Sequence, residues 1–404
     1  MMLPAIRHLD TVARLVFGTD STNKIGEETK RLGIESDAKI SLLVDAGVAK
    51  LGLADKVVTS LEAEGLKTEI YSEIEREPTL DTVQASVDFV RSGGFDVVVG
   101  IGGGSAMDVA KAAAIMATNP GQVPEYYGGY EDRISRKPLP KILVPTTGGT
   151  GSEMSNAAVA INEKAVKTFI TSPYALADVA IVDPLMSVSC PPRVTASSGM
   201  DALSHALESF LTPRHTQISD AFALHAIRIT ASSLRTAYYE GEDVQARSNM
   251  ALAAALGGMG MNMAPNNIGH CIAEAIGPMY KIPHGVTMAL VTPYQMEYNL
   301  PASLERMALL ASYLGEDVHG LAVREAAQEA VRSVSRLVED LELPTSLKAL
   351  RIPKSELPRI VSYIVEERQF MYDLTSWNPK KLSTENVTEL FDKMWEGSLL
   401  KEET

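Results

Sequence analysis

Asp201 and His205 stand four positions apart in Gly199-Met-Asp-Ala-Leu-Ser-His205, inside a run of good helix formers over residues 197–211. That spacing sends both side chains out from one helical face. His270 and His284 bracket thirteen residues, of which the first six or so continue a helical pattern and the last few, around Pro278 and Pro283, read as a turn. One carboxylate and three neutral imidazoles form a mixed oxygen and nitrogen donor set. Such a set suits Fe(II), Zn(II) or a neighbouring first-row ion, and suits Mg or Ca poorly. The chemistry it points to is that of a single catalytic divalent metal. The other four histidines read as structural: His8, His215 and His319 lie in polar or loop-like contexts, and His225 sits on a predicted helix in Phe222-Ala-Leu-His-Ala-Ile.

A second constellation lies earlier in the chain. Gly100-Ile-Gly-Gly-Gly-Ser-Ala-Met-Asp108 follows the apolar strand pattern Asp96-Val-Val-Val-Gly-Ile101 and leads into a helix. Glycines there let the backbone approach a phosphate, Ser105 is placed to cap the helix, and free N–H groups with the helix dipole favour a pyrophosphate. Asp45 ends the strand Lys39-Ile-Ser-Leu-Leu-Val-Asp45, where a carboxylate can accept from ribose hydroxyls and repel a 2′-phosphate. This favours NAD over NADP; the alternative is that Asp45 only caps the next turn. A further strand, Lys141-Ile-Leu-Val-Pro145, opens into Thr146-Thr-Gly-Gly-Thr-Gly-Ser-Glu153, whose hydroxyls and glycines suit a second cofactor loop or a flexible turn.

The elements that must position these residues alternate at first. Strands at 39–45, 68–71, 96–101 and 141–145, separated by helical segments, argue for βαβ units and a parallel, doubly wound sheet. Lys167-Thr-Phe-Ile-Thr171 and Val179-Ala-Ile-Val-Asp183 read as the closing strands of this domain. After Pro184 strand patterns largely disappear. Helices are expected at 197–211, 216–238, 243–262, 265–276, 284–297, 302–314, 322–340, 354–367 and 384–396. The fold class is therefore α/β plus all-α: a Rossmann-like domain over residues 1–184, then an all-helical domain over 185–404, with a reaction centre between them.

Length and composition agree with a soluble enzyme. The 404 residues suffice for two or three domains, and hydrophobic residues make up 45% against 22% charged. A formal charge of −14 opposes binding to nucleic acid or anionic membrane. No apolar run is long enough to span a bilayer, and the start, Met1-Met-Leu-Pro-Ala-Ile-Arg-His8, is too short and polar for a signal peptide. Cys190 and Cys271 support no disulfide framework, so the expected compartment is a reducing cytoplasm.

On these motifs the chain resembles the iron-containing (group III) alcohol dehydrogenases, which share a fold with glycerol dehydrogenase and dehydroquinate synthase. The resemblance covers nearly the whole chain and rests on Gly102-Gly-Gly-Ser-Ala-Met-Asp108, Pro145-Thr-Thr-Gly-Gly-Thr-Gly-Ser-Glu153, Gly199-Met-Asp-Ala-Leu-Ser-His-Ala-Leu-Glu208 and the interval from His270 to Pro283-His284-Gly285. It implies that Asp201, His205, His270 and His284 hold Fe(II), or Zn(II) in its place. It implies cofactor contacts for Gly102, Gly103, Gly104, Ser105, Asp108, Thr146, Thr147 and Thr150, with Lys167 beside them and Asp45 setting the NAD preference. The implied activity is reversible hydride transfer between a small-molecule alcohol and NAD, in a homodimer or larger homo-oligomer. Rival readings of the same fold are a hydroxyacid oxidoreductase or transhydrogenase, a lyase that uses NAD transiently, and a nucleotide sensor without catalysis.

Two positions depart from the family pattern. Most members carry a second histidine four residues after the third ligand, where this chain has Glu274. A carboxylate there is able to relay the alcohol proton, bind a polar or cationic part of the substrate, or orient a ligand. The other is Glu77-Pro78-Thr79, where relatives often have asparagine before the proline.

Overall fold

The computed structural model describes residues 8–128 and 133–400, so the start of the chain, on which the expectation about a leader rests, lies outside the described residues. In the first half, strands β1 (Arg14–Phe17), β2 (Lys39–Asp45), β3 (Lys67–Ile74), β4 (Val97–Gly102), β5 (Lys141–Pro145), β6 (Ala157–Ile161), β7 (Lys167–Thr171) and β8 (Val179–Val182) accompany helices α1 (Ile25–Arg31), α2 (Ala46–Lys50), α3 (Leu53–Ala63), α4 (Leu80–Gly93) and α5 (Gly104–Thr118). Six strands form one sheet in the order β1-β8-β5-β4-β2-β3, and every neighbouring pair is parallel.

The central strands β4 and β5 are buried along their whole length, as strands covered on both faces must be. On one face α4 and α5 bring Val83, Val87, Met107 and Ile115 against Leu43, Val98 and Leu143. On the other, Ile25, Val57 and Leu61 of α1 and α3 pack on Ile40, Val97 and Val144. At about 25 cal/mol per Å² of apolar surface, each such side chain contributes about 2 kcal/mol. The sheet is therefore a rigid platform whose carboxyl edge carries the loops after β2, β4 and β5.

The second half is helical: α6 (Pro192–Leu211), α7 (Gln217–Tyr239), α8 (Val244–Met261), α9 (Ile268–Tyr280), α10 (His284–Asn299), α11 (Leu304–Tyr313), α12 (Val323–Asp340), α13 (Leu357–Tyr363), a π-helical stretch Ile364–Arg368, α14 (Gln369–Met371), α15 (Leu374–Trp377) and α16 (Thr384–Glu396). Met200, Leu203, Leu207 and Phe210 of α6 enter one core with α7, α8, α11 and α12. Ile272 and Ile276 of α9 enter a second with α10, α13 and α16. No helix among the described residues is long and apolar enough to cross a membrane.

Three local expectations need correction, and one strand lies outside those expected. That strand is β1, paired with β8 at the sheet edge; four residues are too few to show a period. Lys167–Thr171 does not close the parallel sheet. It pairs antiparallel with β6 in a separate two-stranded hairpin, because β6 is an alanine-rich segment whose alternation is faint in sequence. Helix α9 continues through Pro278 to Tyr280 before Lys281 turns left-handed at φ 54°, so the break comes after Pro278. The single helix expected at 354–367 is a short α-helix followed by the π-helical stretch and two further turns.

Candidate active site

Asp201 and His205 lie on α6, His270 in the first turn of α9 and His284 at the first residue of α10. The three helices converge, so the Nε2 atoms of His284, His205 and His270 stand 3.4, 3.8 and 3.9 Å from one atom, Asp201 Oδ1. The His205 and His270 rings stack with centroids 4.6 Å apart. Ligand atoms of Asp201, His270 and His284 all fall within 4.8 Å of one another; His205 falls outside that trio.

Asp201 Oδ1 and His270 Nε2, both facing this centre, are buried without a hydrogen-bond partner. Orphaned buried polar atoms cost about 1–3 kcal/mol each, and a divalent cation bound by one carboxylate and imidazoles would repay that cost. The residues therefore fit a metal. Burial drives the His205 ring down to about 3, so it is neutral at pH 7, the form that offers a lone pair to a cation. Burial opposes ionisation of Asp201, but the surrounding imidazoles, His205 first, hold it well below the usual carboxylate range.

Glu208 is the residue that sequence reasoning passed over. It is fully buried on α6, its Oε1 lies 3.1 Å from His270 Nδ1, and its carboxylate accepts from the backbone N–H groups of Asn267 (2.6 Å) and His270 (3.0 Å). A carboxylate at Nδ1 leaves Nε2 for a cation and fixes the ring. Burial pulls the His270 ring down, but Glu208, together with Asp201 and Glu274, outweighs it and the net shift is upward. Gly269 is required here: a Cβ at that position would come within 2.1 Å of Glu208 Oε1. The signal was present in the spacing, since Asp201, His205 and Glu208 fall at i, i+4 and i+7 of one helix face.

The cleft beside these histidines is also lined by Gly104, Ser105, Asp108, Thr150 and Lys167. Gly102, Gly103, Thr146 and Thr147 sit behind them at the carboxyl ends of β4 and β5, where Thr146 N donates to Gly102 O at 2.9 Å. A Cβ at Gly104 would lie 2.7 Å from Thr150 Cγ2, so the two loops touch and only glycine fits between them. Ser105 is not the helix cap. Helix α5 starts at Gly104 behind Gly103, and Ser105 Oγ accepts instead from Glu77 N at 3.1 Å.

Asp108 is committed inside the protein, accepting from Ser152 Oγ (2.6 Å) and Val159 N (3.1 Å) and pairing with the buried Lys111 (3.3 Å). It ties α5 to β6 rather than presenting a free carboxylate. Asp45 does cap α2, accepting from Gly47 N (2.8 Å) and Val48 N (3.2 Å) through Oδ1. Both cap bonds use Oδ1, so Oδ2 takes no part in the cap.

Glu274, one turn from His270, is buried at the cleft wall. Its Oε2 accepts from Arg368 Nη2 at 2.9 Å and from the Tyr372 hydroxyl. Burial pushes this carboxyl up, yet the Arg368 guanidinium, helped by Lys167 and His284, holds it down to about 2. Arg368 ends the π-helical stretch, is almost wholly buried, and also donates from Nη1 to Lys167 O at 3.3 Å, joining the second half of the chain to strand β7.

The family model described as Iron-containing alcohol dehydrogenase matches residues 13–184, and that described as Fe-containing alcohol dehydrogenase family, C-terminal, matches residues 195–395. Long-chain-alcohol dehydrogenase 1 of Geobacillus thermodenitrificans is 37% identical over 398 residues, 97% of this chain and 99% of that protein. The crystal structure of a 1,3-propanediol oxidoreductase superposes with a TM-score of 0.91 at 32% identity, covering 97% of this chain and 100% of that one. A sulfoacetaldehyde reductase from Bifidobacterium kashiwanohense, solved in complex with NAD+, superposes with a TM-score of 0.85 at 26% identity over 97% of this chain and 99% of that one. With both halves matched in order and relatives aligned from end to end, this chain belongs to the iron-containing alcohol dehydrogenase family.

Proposed function

We propose that this chain is a metal-dependent dehydrogenase that moves a hydride reversibly between an alcohol carbon and NAD, yielding an aldehyde or ketone and NADH. The observation that carries this reading is the convergence of three imidazole Nε2 atoms on Asp201 Oδ1, in one cleft with the glycine-serine loop. Asp201, His205, His270 and His284 would hold Fe(II), or Zn(II) in its place. When bound, such an ion supplies Lewis acidity that lowers the pKa of an alcohol and polarises a carbonyl.

The chain's own residues supply the rest. Backbone N–H groups at the start of α5 bind the pyrophosphate, Thr146, Thr147 and Thr150 hold the neighbouring ribose, and Asp45 Oδ2 receives the adenosine ribose. Lys167 places a cation beside the nicotinamide end. Pro78, Val159, Ile161, Phe169 and Trp377 line the cleft with apolar surface that excludes water and strengthens each polar contact. The division of labour places the cofactor in residues 1–184 and the metal in 185–404.

Of the three roles open to Glu274, proton relay fits poorly, because Arg368 and Tyr372 hold Oε2 and keep the carboxylate ionised. We assign Glu274 to receive an O–H or N–H donor at the far end of the alcohol. Anaerobic reconstitution with Fe(II) or Zn(II), followed by NADH absorbance across simple alcohols, diols, amino alcohols and hydroxyacids, tests both parts. Metal-dependent NADH from an alcohol supports the dehydrogenase; tight NAD binding with no turnover on any of them refutes it. A cytoplasmic homo-oligomer belongs to this reading, supported by the unpaired cysteines and by the open edge strand β1, whose Leu15 and Phe17 are each 39% exposed. Sedimentation of the purified protein measures its mass.

A further inference from the structure

Glu77 joins the two sides of the cleft. It lies between β3 and α4 with φ 53°, a left-handed conformation that residues other than glycine, asparagine and aspartate adopt rarely. Its backbone N–H donates to Ser105 Oγ at 3.1 Å, on the first turn of α5. Its side-chain Oε1 accepts from the backbone N–H of His284 at 2.8 Å, 207 residues further along. The next residues are tied down as well, for Pro78 O accepts from Ile161 N at 2.8 Å.

Helix α10 begins at His284, and the residue before it is Pro283, which has no side chain able to cap. The first N–H groups of a helix need an outside acceptor, and a carboxylate is favoured there by the helix dipole. Glu77 fills that place. His284 is the most exposed of the three histidines, with its side chain 19% accessible against 2% for His270, so fewer packing contacts fix its ring. The bond to Glu77 sets where its backbone, and so the root of its side chain, stands.

We propose that Glu77 is a positioning residue that couples the cofactor loop to the metal ligand His284: the same loop conformation that braces Ser105 at the phosphate end sets the first turn of α10. The proposal rests on the functional reading above. If the shared loop couples the two sites, each ligand changes the other's affinity by the same factor.

The test uses the purified full-length chain, stripped with a chelator and titrated with Zn(II) under chelator competition, with and without NADH. In the unsubstituted protein NADH should tighten Zn(II) binding, and Zn(II) should tighten NADH binding by an equal factor. Glu77→Asn keeps a residue that tolerates the left-handed backbone but falls short of His284. It should weaken Zn(II) binding about tenfold and remove the mutual tightening. Glu77→Gln, which keeps the reach and an acceptor oxygen, should retain both. If Glu77→Asn does not fold, Glu77→Asp carries the same expectation through its shorter reach. A Glu77→Asn or Glu77→Asp protein with undiminished affinity and coupling, or a Glu77→Gln protein as impaired as they are, overturns the proposal. An unsubstituted chain that bound neither Zn(II) nor NADH would sink the functional reading itself, whereas binding of both without mutual tightening would sink only the coupling.

Discussion

Glu208 Oε1 on α6 lies 3.1 Å from Nδ1 of His270 on α9. The pair is buried, and the same carboxylate is anchored by two backbone N–H groups of the α9 start. Glu208→Ala should therefore lower metal affinity by about 10–100-fold, because the ring loses both its orientation and its basic partner. Glu208→Gln should recover part of that loss. Chelator competition measures it, and an Ala variant that binds metal as tightly as the unsubstituted protein would remove Glu208 from the site.

His284→Ala and Asp201→Ala each delete an atom from the cluster around Asp201 Oδ1. Both should abolish metal retention and NADH formation together, while the fold, judged by circular dichroism, survives. Chelation of the unsubstituted enzyme should silence it, and Fe(II) or Zn(II) should restore it. Full activity in either variant contradicts the assignment.

Arg368 neutralises Glu274 in a buried pair, so removing one partner strands a charge. Arg368→Met should destabilise the protein by about 3–5 kcal/mol, and Arg368→Met with Glu274→Gln should regain much of it. The pH dependence has a definite sign. The carboxyl of Glu274 is held from 4.5 down to about 2 in the folded protein. Its contribution to stability is present above the unfolded value and is lost as pH falls from about 4.5 towards about 2. Urea melts across that range test it; a single Arg368→Met variant as stable as the unsubstituted protein would show that the pair is not a structural tie.

Glu153 behaves in the opposite sense. Both of its oxygens are buried without a partner, and burial pushes its carboxyl from 4.5 up to about 7. A carboxyl raised on folding favours the folded state below its unfolded value, and this contribution disappears as pH rises through about 7. Glu153→Gln should therefore gain in thermal stability relative to the unsubstituted protein between pH 5 and pH 8. A stability difference that stayed flat across that interval would mean the carboxyl is ionised or paired throughout.

Asp45→Ser should relax the choice of cofactor, raising kcat/KM with NADP relative to NAD by on the order of tenfold, about 1.4 kcal/mol. Because Asp45 also caps α2 through Oδ1, serine is the substitution that preserves an acceptor. An unchanged ratio would leave Asp45 with the capping role alone.

Much of this protein was determined locally. Helix periodicity fixed the face shared by Asp201 and His205, and the glycine run after β4 announced a strand-to-helix turn at a sheet edge, because short-range sterics and side-chain period act within a few residues. The long helices of the second half were legible for the same reason. What the sequence could not decide were the contacts made between distant segments. Glu208 reaches His270 only because α6 and α9 both pack against α10. Arg368 meets Glu274 and Lys167 only because a π-helical turn and an antiparallel hairpin bring them together. Glu77 caps α10 only because the two halves close on one another. Each of these depends on burial and packing across dozens to hundreds of residues; a local period puts Glu208 on the face of Asp201 but cannot name its partner.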